Sequence, residues 1–228
     1  MVKQIVNLII VFAGVIMGSI SYGQYAIGGG VSTLFQFGNG KPLVGANLLF
    51  EKPKNNDVTF YVRAQYLAPQ NAISNEMYFD ALARDPATTP FSIPVKGFQQ
   101  DRFGYFILDA GTRYYLLNGY DEGLSIYGGS NIGMVLNTVK YGYQVDDFNT
   151  SLYSLDHYNL DDYRGKGSII GLAIGFTGGV KYTIPGVGSL FFDVNPHLMM
   201  FAIPSSANLQ VAHHKNLLFN FNIGFRKE

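Results

Sequence analysis

The 228-residue sequence contains no cysteine and no tryptophan, and only 14% of its residues are charged. Without cysteine the chain can form neither a disulfide framework nor a thiolate metal site. Lys plus Arg and Asp plus Glu number 16 each, so no basic field is present to attract nucleic acid. These absences exclude disulfide scaffolds and thiolate zinc domains and argue against a nucleic-acid-binding protein.

Long apolar runs are also missing from the sequence that follows the N-terminal segment. No stretch there reaches the roughly 18 consecutive apolar residues of a membrane-spanning helix. The chain is nevertheless 47% hydrophobic and 15% aromatic, and it contains 27 glycines. This composition indicates one folded domain and not a disordered chain. We find no internal repeat, linker or second domain.

The N-terminal segment MVKQIVNLIIVFAGVIMGSISYGQ has the pattern of a signal peptide. Lys3 is its only charge, residues 5–17 form an apolar run, and Ser21 and Gly23 supply the small residues of a cleavage site. The apolar run of about 13 residues is shorter than the roughly 20 that a retained membrane anchor needs. We therefore predict cleavage after Gly23, with residues 1–23 as the signal peptide.

The remaining sequence alternates between large apolar and small or polar residues with a period of two. In the final stretch, LLFNFNIGFRKE, every second residue from Leu217 to Phe225 is large and apolar, while Asn220, Asn222 and Gly224 lie between them. Further alternating stretches occur at about 25–37, 43–52, 58–68, 103–117, 123–139, 166–184 and 190–200. Together these patterns predict eight antiparallel strands with one uniformly apolar face.

A β-sandwich or a soluble lipocalin-like barrel would also alternate, and the loop lengths decide between the alternatives. Connections after the second, fourth and sixth strands are short, whereas those after the third and fifth are long, at about 69–101 and 140–165. Both long connections lie at one end, as is typical of bacterial outer-membrane barrels. We predict an all-β, eight-stranded antiparallel up-and-down transmembrane β-barrel over residues 24–228, with both termini in the periplasm and the apolar face toward lipid.

The lumen of an eight-stranded barrel has room for packed side chains but not for an aqueous channel. Inward-facing charges number three of each sign, and we expect them to pair because unpaired buried charge is strongly unfavourable. The predicted lumen charge network consists of Glu51, Arg63, Asp109, Arg113, Lys181, Asp193 and His197. A plugged, non-conducting lumen follows from this prediction.

Two histidine arrangements could in principle support catalysis. Asp193 and His197 lie four residues apart on one inward face, and His213 and His214 are adjacent near the last outer loop. No motif supplies a nucleophile or an orienting group beside either, and none predicts a metal ion or another cofactor. We expect a protein without enzymatic activity; an outer-membrane lipid A acyl hydrolase, acyltransferase or protease is the weakest alternative.

The second long connection is rich in tyrosine and aspartate. Tyrosine provides a large contact area at low entropic cost, which favours recognition of protein or sugar. The predicted recognition residues are Tyr143, Asp146, Asp147, Tyr153, Asp156, Tyr158, Asp161, Asp162 and Tyr163. The alternative is a solvated outer cap whose tyrosines pack on one another.

The signal segment, the glycine-rich first strand YAIGGGVS and the terminal strand LFNFNIGF together resemble known barrels. The chain resembles small OmpX-like and OmpA-barrel-like proteins of Gram-negative outer membranes, and especially the outer-membrane β-barrel family of Bacteroidota, which includes PorT-type proteins. The resemblance implies a porin-like architecture in contact with outer-membrane lipid. It also implies that Phe221, Ile223 and Phe225 form the signal for the barrel-insertion machinery, although Arg226, Lys227 and Glu228 follow the last aromatic residue.

From these features we expect a structural or accessory subunit of a larger envelope assembly, in which other envelope or secretion-system proteins are the partners. The alternative is a surface adhesin or binding module that uses the Tyr/Asp-rich outer loop.

Overall fold

The computed structural model describes residues 25–36, 41–71, 75–121, 123–155, 165–205 and 216–227. The predicted signal peptide lies outside them. The strands in chain order are β1 (Ala26–Gln36), β2 (Leu43–Pro53), β3 (Val58–Asn71), β4 (Asn75–Ala83), β5 (Ser92–Leu117), β6 (Leu124–Val145), β7 (Tyr153–Ser154), β8 (Gly165–Ile184), β9 (Gly188–Pro204) and β10 (Leu217–Lys227). Among the described residues, no helix has the length and apolar character to cross a membrane.

Eight of these strands form a closed antiparallel barrel. Their order around the barrel is β1, β2, β3, β5, β6, β8, β9 and β10, and β10 pairs back with β1. This arrangement confirms the predicted eight-stranded up-and-down architecture. Because each barrel strand pairs on both sides, closure removes the open edges that a flat sheet would expose.

The first and last strands approach each other closely at the glycine run of β1. Gly30 lies opposite Gly224, and a Cβ atom at Gly30 would overlap the carbonyl oxygen of Ile223. Since only glycine lacks this atom, the YAIGGGVS sequence permits the close contact between β1 and β10 that completes the barrel.

The alternation separates two faces of the barrel wall. Large apolar side chains such as Leu48, Ile132, Phe176 and Ile223 point outward and are 60–69% exposed. Small and polar side chains point inward and are buried, among them Ser32, Asn47, Thr59, Asn131, Asn195 and Asn222. A soluble lipocalin-like barrel would have the opposite arrangement.

The barrel has two distinct ends. We call the end that holds the start of β1, the end of β10 and the turns at residues 54–57, 118–121 and 185–187 the terminal end, and the opposite end the loop end.

The expectation of a long loop at about 69–101 is wrong in part, because this segment contains strands. β4 pairs with residues 92–99 of β5, and β7 pairs with Leu82 and Ala83 of β4. β5 therefore begins at Ser92 and not near 103, and β6 continues to Val145 and not only to 139. We call the resulting extension beyond the barrel, residues 75–102 and 140–155, the platform.

Candidate functional site

The terminal half of the lumen contains a layer of buried charged side chains. All seven residues of the predicted network lie there or at mid-lumen and are at most 2% exposed. They are contributed by strands β2, β3, β5, β8 and β9, whose inward positions meet across the narrow interior. The barrel thus brings together groups that are far apart in sequence.

Glu51 of β2 accepts hydrogen bonds from several strands. Its Oε2 atom accepts from Arg113 and from Arg226, each at 2.7 Å. Its Oε1 atom accepts from the hydroxyl of Tyr115 at 2.9 Å and from Thr59 at 2.5 Å. Both carboxylate oxygens are therefore satisfied without water.

Asp193 of β9 continues the chain of charges toward the middle of the lumen. Arg113 donates to its Oδ2 atom at 2.7 Å, and Arg63 donates to its Oδ1 atom at 2.8 Å. Arg63 also binds Asp109 through two hydrogen bonds of 3.2 Å. These side chains form one continuous hydrogen-bonded network in which positive and negative charges alternate in space. In order, its members are Arg226, Glu51, Arg113, Asp193, Arg63 and Asp109. Each buried charge thus contacts a charge of opposite sign, which offsets the cost of its burial.

Arg226 is the member of this network that sequence analysis missed. It was assigned to a tail after the last aromatic residue, yet it lies on β10, is 2% exposed and binds Glu51. Arg226 is separated from Asn220 and Asn222 by an even number of residues, so it lies on the same face of β10. Continuing the alternation past Phe225 would have placed it in the lumen. The described lumen therefore holds four cationic side chains and three carboxylates, and the expected balance of three each is corrected.

Lys181 lies near the terminal end, beside aromatic rings. Its Nζ atom is 5.0 Å from the ring centre of Tyr115 and 4.8 Å from that of Tyr120, and it donates to Thr183 at 3.2 Å. The faces of tyrosine rings attract cations, so this cluster stabilises a buried ammonium group.

The candidate pair Asp193 and His197 does not form a catalytic arrangement. The carboxylate of Asp193 accepts from Arg63, Arg113, Asn195 and Asn222, and no hydrogen bond joins it to His197 within the described residues. His197 is fully buried in the lumen, out of reach of a substrate. His213 and His214 lie outside the described part of the chain.

The loop half of the lumen is filled mainly by apolar side chains, which the prediction of a polar inward face did not include. These residues, which we call the apolar plug, are Leu34, Leu43, Leu67, Phe103, Tyr105, Ile107, Val135, Val139, Ile169, Ala173, Met199 and Leu218. They pack above the charged layer, so the interior is occupied along its length by two chemically different layers.

The platform has one covered face. Ala81, Val95 and Tyr153 form a small apolar core there, and Phe148 and Leu155 pack against it. The Tyr153 hydroxyl donates to the carbonyl oxygen of Pro90 at 3.1 Å. Tyr143 packs edge-on against Phe79, with ring centres 5.9 Å apart. Two of the predicted recognition tyrosines therefore contribute to platform packing.

The other face of the platform is open. Side chains of directly opposed residues share a face, so Tyr78 and Lys96, and likewise Glu76 and Phe98, lie together on it. Tyr78 is 68% exposed. The ammonium group of Lys96 donates to Glu76 at 2.8 Å and lies 5.0 Å from the ring centre of Phe98. The hydrogen bond to Glu76 raises the pKa of Lys96 above its usual value.

The remaining predicted site residues have separate positions. Asp146 and Asp147 are exposed just after β6, while Asp156, Tyr158, Asp161, Asp162 and Tyr163 lie outside the described residues. Phe221, Ile223 and Phe225 lie on the outward face of β10. Their role as an insertion signal stays a prediction.

Comparison with known proteins gives structural similarity only. No protein-family model matches the chain, and no curated protein sequence is similar to it. Ail, the attachment invasion locus protein of Yersinia pestis, solved in complex with the heparin analogue sucrose octasulfate, is 12% identical with a TM-score of 0.45 and covers 91% of this chain and 100% of its own. Neisserial surface protein A is 12% identical with a TM-score of 0.48, covering 89% and 94%. The outer membrane protein OprG of Pseudomonas aeruginosa is 12% identical with a TM-score of 0.44, covering 90% and 94%. Similarity at this level carries no conclusion about the function of this chain.

Proposed function

We propose that the protein is a non-conducting barrel of a Gram-negative outer membrane that holds the platform outside the cell as a docking site for another envelope protein. It is then a structural or accessory subunit and not an enzyme. The observation that carries this proposal is the closed barrel with an apolar exterior and an occupied lumen.

The exterior supports insertion into a bilayer. Soluble proteins rarely expose apolar patches beyond a few hundred Å², whereas here outward residues on every barrel strand are large and apolar, for example Val31, Leu48, Phe60, Ile132 and Leu198. A closed barrel also pairs its backbone groups internally, as hydrocarbon requires. The predicted signal peptide and periplasmic termini accord with this location.

The interior supports a barrel that does not conduct. An ion would have to displace both the charge network around Glu51 and Asp193 and the apolar plug. Separating buried charges that are paired with one another is costly. We therefore assign the function to surfaces and not to the lumen.

The open platform face supports binding of a protein partner. Tyr78 presents an exposed aromatic ring, and the Lys96–Glu76 pair supplies polar contacts beside it. Aromatic residues surrounded by polar groups are typical of protein interfaces. Leu152, 45% exposed, extends the same face because Arg84 and Leu152 continue the pairing of β4 with β7.

Three measurements test membrane insertion and conduction. The folded barrel should migrate faster than the boiled protein on gels and resist carbonate extraction from membranes. In planar bilayers it should give no single-channel steps. A protein that fractionates as soluble, or that produces steady ion currents, would contradict the corresponding part of the proposal.

Partner binding is tested by purification from the native membrane in mild detergent. We expect a stoichiometric envelope protein with the unaltered chain, lost in Tyr78→Ser. Val187→Ser is the matched control, because Val187 is an exposed apolar residue in a terminal-end turn. Equal recovery with both variants would remove the platform face from the interface.

The exposed carboxylates of Asp146 and Asp147 favour a second candidate, a surface adhesin or binding module. Loss of attachment to host material in Asp146→Asn with Asp147→Asn, with no envelope partner recovered, would favour this function over the first.

A further inference from the structure

The outward wall formed by β3, β5, β6, β8 and β9 contains two adjoining depressions. One, of about 380 Å³, is lined by Leu108, Met134, Leu172, Met200 and Phe201. The other, of about 630 Å³, includes Phe60, Thr112, Ser130 and Phe176. Both also include Ala110, Ile132 and Ile174. Ala110 has the smallest of these shared side chains, so the depressions meet over it and form one groove.

A β-bulge builds one side of this groove. Leu172 pairs with Phe201 and Ala173 with Met199, so Met200 is the extra residue. As a result Met200 and Phe201, although adjacent in sequence, both point outward and are 58% and 51% exposed. Bulges redirect side chains in this way. Here the side chains of Met200 and Phe201 line one side of the groove, and Ala110 and Gly133 line its base.

The groove changes character along its length. Toward the terminal end its lining includes the hydroxyl side chains of Thr112 and Ser130, between the rings of Phe60 and Phe176. From Thr112 to Leu108 along β5 the lining becomes wholly apolar over a distance of about 13 Å, given the rise per residue of a strand. The groove therefore has a hydrogen-bonding end near the terminal side and an apolar end near mid-wall.

We propose that this groove binds one glycerophospholipid from the leaflet at the terminal end. An acyl chain lies over Ala110 between Ile132 and the Met200–Phe201 lip, and an ester carbonyl accepts a hydrogen bond from the hydroxyl of Thr112 or Ser130. This inference rests on the proposed membrane location. The polar end faces the headgroup side and the apolar end faces the bilayer centre, which matches the order of groups in such a lipid.

A second copy of the chain fits the groove less well. In a two-fold dimer whose axis passes through the groove, the concave groove of one copy would face the concave groove of the other and remain unfilled. A flexible, unbranched acyl chain can follow the groove. By filling it, the acyl chain supplies the dispersion contacts that the lining residues would otherwise lack.

The test is lipid retention. The protein and its variants are reconstituted into vesicles of palmitoyl-oleoyl phosphatidylethanolamine, extracted in mild detergent and examined by native mass spectrometry. We expect one retained phospholipid per barrel for the unaltered chain, with occupancy about tenfold lower in Ala110→Phe, which closes the junction. Ala46→Phe, an equivalent change at an exposed outward position of β2, is the control and should retain the lipid.

Thr112→Val with Ser130→Ala should also lower occupancy, since it removes the hydroxyl donors and keeps the groove. Equal retention in Ala110→Phe and Ala46→Phe, or recovery of a lipid-free dimer, would overturn the proposal. Heat-dependent gel migration is measured on every sample. A chain that fails to insert contradicts the membrane location itself, whereas an inserted barrel without retained lipid contradicts only the groove.

Discussion

Arg226 of β10 donates a hydrogen bond of 2.7 Å to Glu51 of β2, and thus joins two strands that are separated by β1. The intervening inward positions of β1 are Ala26 and Gly28, whose small size leaves the space for this contact. The ion pair therefore links the last strand to the second and secures barrel closure from inside.

Removing Arg226 should destabilise the barrel. In Arg226→Met, Glu51 keeps Arg113 but loses one of its two cations, so we expect the free energy of unfolding to fall by roughly 2 kcal/mol, less than the cost of a fully unpaired buried charge. Urea unfolding in detergent micelles measures the change. Lys227→Met, at the adjacent exposed position, should leave the midpoint unaltered; equal effects would remove the special role of Arg226.

Barrel closure should fail when Gly30 gains a side chain. In Gly30→Val the new Cβ would overlap the backbone of Ile223, which cannot move without separating β1 from β10. We expect no faster-migrating folded band on unboiled gels. Gly178→Val is the control, because nothing lies within 4 Å of its Cβ position. Normal folding of Gly30→Val would show that the strands can separate locally at no cost.

The platform should loosen independently of the barrel. Tyr153 packs in the platform core. The residue before it, Leu152, accepts a hydrogen bond of 2.9 Å at its carbonyl oxygen from the backbone amide of Arg84. We expect Tyr153→Ala to increase the rate of tryptic cleavage after Arg84 by about tenfold while the barrel remains heat-modifiable, since local opening controls proteolysis. Leu152→Ala, at an exposed position, should cleave as slowly as the unaltered chain. Loss of heat-modifiability would instead indicate one cooperative unit.

The pKa of Lys96 should depend on Glu76. In Glu76→Gln we expect it to fall back toward the ordinary lysine value, whereas Asp80→Asn should leave it unaltered. Carbon-13 NMR titration of the lysine side chain measures the shift. Because the folded pKa is raised, the contribution of this pair to stability is present below the usual lysine pKa and disappears as the pH rises through the raised value. An identical titration in Glu76→Gln would contradict the assignment of the cause.

The barrel could be predicted from sequence because its strands are marked by local patterns along the chain. Alternation fixes which side chains point outward, and the lengths of connections fix which ends they share. Glu51, Arg63 and Asp193 were predicted to lie in the lumen for this reason. Their specific partners depend on the stagger of the strands around the barrel, which a single sequence does not display.

Other features depend on breaks in the pattern. β4 carries Tyr78 and Phe79 on opposite faces, and prolines at 86, 90 and 94 surround the turn that follows, so its alternation is too weak to distinguish from a loop. The bulge at Met200 reverses the parity after it, which no periodicity rule anticipates. The apolar plug escapes prediction because residues such as Leu34 and Leu67 alternate with the outward apolar residues, and alternation alone therefore places them on the face of small and polar residues.

The uninterrupted course of β5 has a mechanical consequence. This strand runs for 26 residues from the platform through the barrel wall, and β6 accompanies it to Val145 through continuous pairing. No loop interrupts these two strands between the platform and the barrel, so the paired strands themselves set the distance and tilt of the platform relative to the membrane surface. A molecule docked at Tyr78 and Lys96 would be held at a fixed height, about 23 Å along the strand from Phe103, and a pull on it would act directly on the paired strands in the bilayer.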